Sequence, residues 1–371
     1  MVDLHGQYLK IKDEVDSAIQ KVIDSTAFIR GEDVREFQKE LSAYLDIKHT
    51  IACGNGTDAL QVAMMALELQ PGDEVITTPF TFIATVEVIR LLGLKPVFVD
   101  VRPDTFNLDP ELLEQAVTDR TRAIVPVHLF GQCADMESIM EFAGRHGLYV
   151  IEDNAQALGA DFLPANGSKQ KAGTIGHLGC TSFFPSKNLG AFGDGGALFT
   201  NDDSLGQRAA SLVNHGMQKR YYYDHVGVNS RLDTLQAAIL RVKLQHLDDY
   251  HRLRQEAATW YDTSLSGIEG LHTPVRSPFT SHIFHQYTLQ VEASSRDALK
   301  QWLMEKGIPS QVYYPVPLHL QQAYRDLGYG KGSLPASEEL CNKVLSLPIH
   351  TEMEQKQLEY ISEQVHQYFK A

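Results

Sequence analysis

The chain has 371 residues, a length that suggests about two domains or one large α/β unit. With 43% hydrophobic and 22% charged residues, its composition is typical of globular proteins. The net charge of −14 argues against general nucleic-acid binding. The four cysteines form no CxxC pair, and no segment predicts a signal peptide or a membrane span. We therefore expect a cytoplasmic protein without a bound metal.

Short apolar runs alternate with amphipathic helical patterns through the first two-thirds of the chain. This alternation predicts an α/β fold with a mostly parallel sheet and crossover helices. Strands are predicted at 74–77, 95–99, 123–127, 148–152, 180–183 and 197–200. Helices are predicted at 13–24, 34–45, 57–69, 82–92, 110–117 and 135–146, and the first two could pack with either domain.

The pattern changes after Asn229, because apolar residues recur at helical spacing from 232 to about 265 with no strand between them. We predict one long connecting helix there. Strands at 286–291 and 311–314 and helices at 297–306, 335–344 and 353–369 are predicted to follow. The expected domains are 1–245, a large domain that includes the N-terminal helices, and 246–371, a smaller α+β domain.

The first candidate site segment is Gly54-Asn55-Gly56-Thr57-Asp58, which follows an apolar run and opens a predicted helix. Backbone N–H groups and the helix dipole at such a start favour an anion such as phosphate. A plain turn with Thr57 as the helix cap accounts for the same residues.

The second segment ends a predicted strand with Glu152 and Asp153. Open α/β sheets bind ligands at the carboxyl ends of their strands, so an acid there could meet a cofactor. Alternatively, Asp153 accepts hydrogen bonds only from loop N–H groups.

The third segment places Lys187 after an apolar strand and before Gly193-Asp194-Gly195-Gly196. Aromatic and glycine-rich neighbours can exclude water from a lysine, which lowers its pKa and leaves a nucleophilic amine. The glycines could instead form only a tight hairpin. Together, a phosphate cradle, a strand-end carboxylate and a lysine are the parts that a pyridoxal phosphate enzyme requires.

Over nearly its whole length the chain resembles the DegT/DnrJ/EryC1/StrS family of nucleotide-sugar aminotransferases. The resemblance is carried by GNGTDAL at 54–60, PGDEVITTPFTFIAT at 71–85, PVHLFGQCADM at 126–136, EDNAQALGA at 152–160, FFPSKNLGAFGDGGAL at 183–198 and VNSRLDTLQAA at 228–238. It implies a fold-type I aminotransferase that works as a homodimer. It also implies pyridoxal 5'-phosphate as cofactor, with pyridoxamine 5'-phosphate as intermediate, L-glutamate as amino donor, 2-oxoglutarate as its product, and a nucleotide-linked keto-hexose as acceptor.

The resemblance also implies roles for individual residues. Lys187 matches the Schiff-base lysine, Asp153 the partner of the pyridine nitrogen, and Gln156 a contact on the phenolic side of the ring. The remaining cofactor contacts are Gly56, Thr57 and Ser182 at the phosphate, Phe82 on the ring face, and Asn229 at the phosphate of the neighbouring subunit. The substrate contacts are Arg231, Tyr313 and Tyr314. Asn154 and Tyr313 depart from the residues most common in the family.

The segments 188–196 and 314–321 resemble the branch that aminates carbon 3 of the hexose, in amino-sugar and surface-polysaccharide biosynthesis. The alternatives are a 4-aminotransferase, a sugar deoxygenase branch in which histidine replaces the lysine, and a non-catalytic regulatory relative. Lys187 argues against the deoxygenase, and the intact set of Lys187, Asp153 and Gln156 argues against the regulator. A nicotinamide oxidoreductase would need a glycine fingerprint that is missing.

Overall fold

The computed structural model describes residues 1–165 and 167–370. In chain order its helices are α1 (Leu4–Lys10), α2 (Lys12–Ser25), α3 (Glu32–Leu45), α4 (Gly56–Ala66), α5 (Ala84–Leu91), α6 (Met136–His146), α7 (Asp203–Leu212), α8 (Thr234–Gln245), α9 (Leu247–Ser264), α10 (Ala293–Glu305), α11 (Pro335–Lys343) and α12 (Gln355–Lys370). Its strands are β1 (His49–Cys53), β2 (Glu74–Thr77), β3 (Lys95–Phe98), β4 (Thr121–Val125), β5 (Tyr149–Asp153), β6 (Asp161–Phe162), β7 (Gln170–Lys171), β8 (Leu178–Ser182), β9 (Gly196–Thr200), β10 (Met217–Lys219), β11 (Tyr222–Tyr223), β12 (Leu271–His272), β13 (Tyr287–Val291) and β14 (Val344–Leu347).

The large sheet has seven strands in the order β1-β9-β8-β5-β4-β2-β3. The pairs from β8 to β3 are parallel, whereas β9 runs antiparallel to both of its neighbours. This confirms the predicted α/β fold with a mostly parallel sheet. Because β8 and β9 are antiparallel neighbours, the chain between them turns back at the carboxyl end of β8.

Both faces of this sheet are buried, which explains the continuous apolar runs of its strands. In β4, Ala123 and Val125 pack into one core with residues of α4, α5 and α7, while Ile124 points to the opposite core with α6. Helices α3 and α8 cover the same sheet near β1 and β9. Strand residues alternate between the two faces, so each strand joins two cores.

The C-terminal part contains an antiparallel sheet in the order β12-β13-β14. Its residues share one apolar core with α9 to α12, and Phe80, Phe106 and Phe130 of the first part reach into that core. Helix α8 packs on the large sheet, and α9 packs on the small one. The division between residues 245 and 246 stays a prediction. In the structure Leu247 still packs with α8 in the core of the large sheet, and Ala257 is the first buried α9 residue in the core of the small sheet.

Several predictions of local structure are wrong. The long helix predicted over 232–265 is two helices, α8 and α9, which meet at His246. The helix predicted at 110–117 is a single 3₁₀ turn at Pro110–Leu112, because the Thr118 hydroxyl bonds Glu74 and draws the following chain to the sheet. The strand predicted at 311–314 is an isolated bridge between Gln311 and Ser346.

Nine elements among the described residues were not predicted, namely α1, α7, β1, β6, β7, β10, β11, β12 and β14. Helices α2 and α3, whose place the sequence left open, both pack against α8 of the large domain. Among residues 1–165 and 167–370, no helix combines the length and the apolar character needed to cross a lipid bilayer.

Candidate active site

The connection between β8 and β9 carries Lys187. It folds into a compact turn, in which Lys187 N donates to Phe184 O and Ala191 N donates to Phe183 O, both at 2.8 Å. The Lys187 side chain is partly buried, and its Nζ has no hydrogen-bond partner among the described residues. Burial lowers the pKa of Lys187 to about 8, although the negative charge of Asp153 acts in the opposite direction. The site therefore holds an amine that loses its proton near neutral pH.

Asp153 is buried at the carboxyl end of β5, beside Lys187. Its two carboxylate oxygens are each held by one donor. The Thr85 hydroxyl of α5 donates to Oδ2 at 2.7 Å, and Ala155 N donates to Oδ1 at 3.2 Å. These bonds fix the orientation of a negative charge inside the site.

Glu152, the other acid at this strand end, forms hydrogen bonds with groups outside the site. Its carboxylate accepts hydrogen bonds from His128 Nε2 at 2.8 Å and from three backbone N–H groups, those of Gly173, Ile175 and Gly176. The side chain is completely buried. Of the two acids that the sequence left open, only Asp153 interacts with Lys187, and Glu152 anchors the loop that leads into β8.

Gln156 connects the site to the C-terminal domain. Its Oε1 accepts from Phe130 N at 2.8 Å, and its Nε2 donates to the Tyr314 hydroxyl at 3.2 Å. Burial raises the pKa of Tyr314, so this hydroxyl stays protonated. Tyr313 lies half-buried beside it, with its ring centroid 6.0 Å from that of Tyr314. Tyr314 therefore lies close to Gln156 and to the charge of Asp153.

The first turn of α4 lies against the end of β8. The Asn55 side chain caps the helix by accepting from Asp58 N at 2.8 Å. A Cβ added to Gly56 would lie 2.7 Å from the Cβ of Ser182, closer than real carbon atoms approach. The Thr57 hydroxyl has no partner in the described part of the chain. Glycine is thus required where the helix start meets the strand that leads to Lys187.

A serine that the sequence analysis missed ties this helix start to the segment before α8. Ser230 Oγ accepts from Gly54 N at 2.9 Å and donates to Asp58 Oδ2 at 2.6 Å. The neighbouring Asn229 is exposed and pairs with Asn214 by backbone alone, and Arg231 is half-buried.

Phe82 and Thr85 flank the start of α5 and differ sharply in environment. Phe82 is 57% exposed in the single chain, so it is not a core residue, whereas Thr85 is fully buried. The structure thus brings together Lys187, Asp153, Gln156 and Tyr314, with Gly56, Thr57 and Ser182 at one edge. Phe82 and Asn229 instead face outward.

Residues 9–366 match the model of the DegT/DnrJ/EryC1/StrS aminotransferase family. Over 372 residues the chain is 46% identical to a protein of Geobacillus stearothermophilus described as a pleiotropic regulatory protein, with coverage of 100% of this chain and 98% of the relative. It is 45% identical to the UDP-2-acetamido-2-deoxy-3-oxo-D-glucuronate aminotransferase of Pseudomonas aeruginosa, with coverage of 94% of each chain.

Solved structures are similarly close. The crystal structure of DesV from S. venezuelae in complex with a ketimine intermediate superposes with a TM-score of 0.96 at 40% identity, covering 100% of this chain and 98% of that one. The Bacillus subtilis protein NtdA with bound cofactor PMP gives a TM-score of 0.90 at 30% identity, covering 98% and 82%.

Proposed function

The chain belongs to the DegT/DnrJ/EryC1/StrS aminotransferase family, and from this membership we propose that it transfers the amino group of L-glutamate to carbon 3 of a UDP- or dTDP-linked keto-hexose. It is a nucleotide-sugar aminotransferase that depends on pyridoxal phosphate. Carbon 3 is supported by the Pseudomonas relative, whose name specifies a 3-oxo sugar. The partly buried Lys187 amine, on which the charge of Asp153 acts, is the observation that carries the catalytic part of the proposal.

The residues of the site fit pyridoxal phosphate. A helix start that Gly56 brings against Ser182 offers N–H groups to a phosphate, and the unpartnered Lys187 amine suits an aldehyde. Asp153, held by Thr85, offers a fixed negative charge to a ring nitrogen. When bound, the cofactor supplies a carbonyl group that accepts the amino group and a ring that accepts electrons.

In this proposal each residue has a separate task. Lys187 would hold the cofactor aldehyde and, as a free amine, would move a proton at the reacting carbon. Asp153 would keep the ring nitrogen charged, and Gln156 would contact the oxygen side of the ring. Phe82 would cover the ring face, while Thr57 and Ser182 would hold the phosphate. Arg231, Tyr313 and Tyr314 contact the sugar nucleotide.

A panel of matched substrates tests the proposed reaction. The enzyme would be supplied with L-glutamate and with 3-keto and 4-keto hexoses, each linked to UDP or to dTDP, and NMR would locate the new C–N bond. We expect conversion of a 3-keto compound and none with Lys187→Ala. Selective conversion of a 4-keto sugar would contradict the proposal and show that the enzyme aminates carbon 4.

A regulatory function is the second candidate, because the Geobacillus relative is described as a regulatory protein. Against it, the chain keeps a partly buried amine with its pKa lowered to about 8, and a solvated lysine would suffice in a protein without catalysis. Absence of turnover with every panel substrate, in protein with bound cofactor, would favour the regulatory function.

We propose that the active unit is a cytoplasmic homodimer with shared sites. The single chain exposes Asn229 and the apolar side chains of Phe82, Phe184 and Val226. All four cysteines are free thiols, which suits a reducing compartment. If Asn229 reaches the phosphate of the partner subunit, the two sites cannot form in a monomer.

Mixing two inactive variants tests the shared sites. Co-refolded Lys187→Ala and Asn229→Ala chains should form mixed dimers, each with one intact site and one doubly defective site. With random pairing about a quarter of wild-type activity should return. A monomer in solution, or proven mixed dimers without activity, would contradict the proposal.

A further inference from the structure

Helix α8 holds the connection that carries Lys187 at two points. Gln236 Oε1 accepts from Phe192 N at 2.8 Å, and Lys243 Nζ donates to Gly190 O at 2.6 Å. Gln236 and Lys243 lie seven residues apart, which is two helical turns, so both face the same side of α8. The helix thus binds one backbone donor and one backbone acceptor of the same short segment.

Lys243 is an unusual residue for this position, because its side chain is 2% exposed and no carboxylate of the described residues lies within ion-pair distance. Its Nζ also lies 5.4 Å from the centre of the Phe192 ring. Burial lowers the pKa of Lys243 to about 8. A buried cationic group without a carboxylate partner reduces stability, and methionine would fill similar space without that penalty. Stability alone therefore does not explain a lysine here.

The Gly190 carbonyl is coupled to the turn of Lys187. A Cβ on Gly190 would lie 2.2 Å from Pro185 O, so the chain on one side of the turn touches the chain on the other. The hydrogen bonds of Lys187 N and Ala191 N close the same turn. Displacement of Gly190 must therefore shift the backbone on which Lys187 sits.

We propose that Lys243 and Gln236 are positioning residues that hold the Lys187 amine at its partly buried position in the site. They do so through the backbone at Gly190 and Phe192, without touching the reacting groups. The inference goes beyond the proposed reaction, because it concerns the state of Lys187 in the chain whether or not the sugar substrate is correctly identified.

The test compares Lys243→Met with Arg241→Met on the same helix. Arg241 bonds Glu40 and Asp33 of α3 and does not contact the Lys187 connection, so it is a matched control. In full-length protein freed of cofactor, an amine-reactive acetylating reagent would label Lys187 across a pH series, with peptide mass spectrometry as readout. Melting temperature and the kcat of cofactor-loaded enzyme would be measured in parallel.

For Lys243→Met we expect a melting temperature close to that of wild type, because removal of a desolvated amine offsets the hydrogen bond that the Gly190 carbonyl loses. The Lys187 amine should gain solvent, and a rise of about one in its pKa lowers labelling at pH 8 about fivefold. Its kcat should fall at least about tenfold with little change in KM. Arg241→Met should instead lower the melting temperature and leave the labelling of Lys187 unchanged.

Unchanged Lys187 labelling and kcat in a folded Lys243→Met protein would overturn the proposal. If that variant does not fold, Gln236→Leu decides, because it removes the other anchor without placing or removing a charge. Labelling like that of wild type in Gln236→Leu would then overturn it. Failure of the sugar assay alone, with labelling shifted as expected, would instead count against the proposed substrate.

Discussion

Two donors from different parts of the chain orient the Asp153 carboxylate. Thr85 comes from α5, 68 residues earlier in the sequence, and Ala155 N comes from the turn directly after β5. With both oxygens partnered, the side chain has little freedom to rotate away from Lys187. The charge is therefore fixed before any ligand arrives, which is what electrostatic stabilisation requires.

Asp153→Asn tests the importance of that charge. The amide keeps the shape and the hydrogen bond with Thr85 but cannot balance a positive charge on a ring nitrogen. We expect cofactor to remain bound and kcat to fall about a hundredfold or more, as for lost electrostatic interactions of a few kcal/mol. The measurements are kcat and bound cofactor by absorbance.

The control for this prediction is Asp203→Asn, which changes an exposed carboxylate paired with Lys48 far from the site in the fold. It should keep its kcat. A kcat for Asp153→Asn within a few-fold of wild type would show that the carboxylate charge has no part in catalysis.

At the scale of elements, the start of α4 lies directly against the end of β8. Gly56→Ala would place a methyl group 2.7 Å from the Ser182 Cβ and force the helix away from the strand. We expect stability to fall by about 1–3 kcal/mol and the cofactor Kd to rise at least about tenfold. Denaturant unfolding and cofactor titration would measure both effects.

Gly144→Ala is the matched control, because Gly144 lies in α6 with no atom near the added methyl group. Alanine has the higher helix propensity, so this variant should gain about 0.5–1 kcal/mol. Gly56→Ala with the same gain and normal cofactor binding would contradict the tight contact at the start of α4.

Six of the seven strands of the large sheet were predictable because each is a short apolar run, whereas β1 was not predicted. The connection at 110–117 was not, because its helical spacing is overridden by the Thr118 bond to Glu74, a contact that local pattern does not encode. Thr85 and Ser230 were missed for the same reason. Their partners, Asp153 and Gly54, are distant in sequence, and a lone threonine or serine carries no signal of them.

For the whole molecule, buried histidines set the response to acid. Burial lowers the pKa of His251 and His282 to about 3 and of His350 to about 4, and it lowers the pKa of His285 well below the usual range. The unfolded chain binds protons at these residues below about pH 6.5. The stability that these neutral histidines allow is therefore fully present above that pH, and the free energy of unfolding decreases as the pH falls below it.

Each of these histidines lowers the free energy of unfolding by up to about 1.4 kcal/mol for every pH unit below its pKa in the unfolded chain. Four of them give about 5.6 kcal/mol per pH unit, comparable with the whole stability of an ordinary domain. We expect the protein to unfold between about pH 5 and 4. Circular dichroism would measure this transition. His251→Leu should move the midpoint to lower pH, since His251 Nε2 has no hydrogen-bond partner in residues 1–165 and 167–370. An unchanged midpoint would exclude His251 from the acid response.

The strand order of the large sheet also has a kinetic consequence. β1 pairs only with β9, and the bond from Gly54 to Ser230 spans 176 residues. Such non-local pairing is slow, because a long loop must close before its contacts stabilise it. During synthesis, β1 leaves the ribosome long before its partner strand exists. The helix start proposed to hold the phosphate therefore forms late, and a nascent chain cannot complete that part of the site until Ser230 has been made.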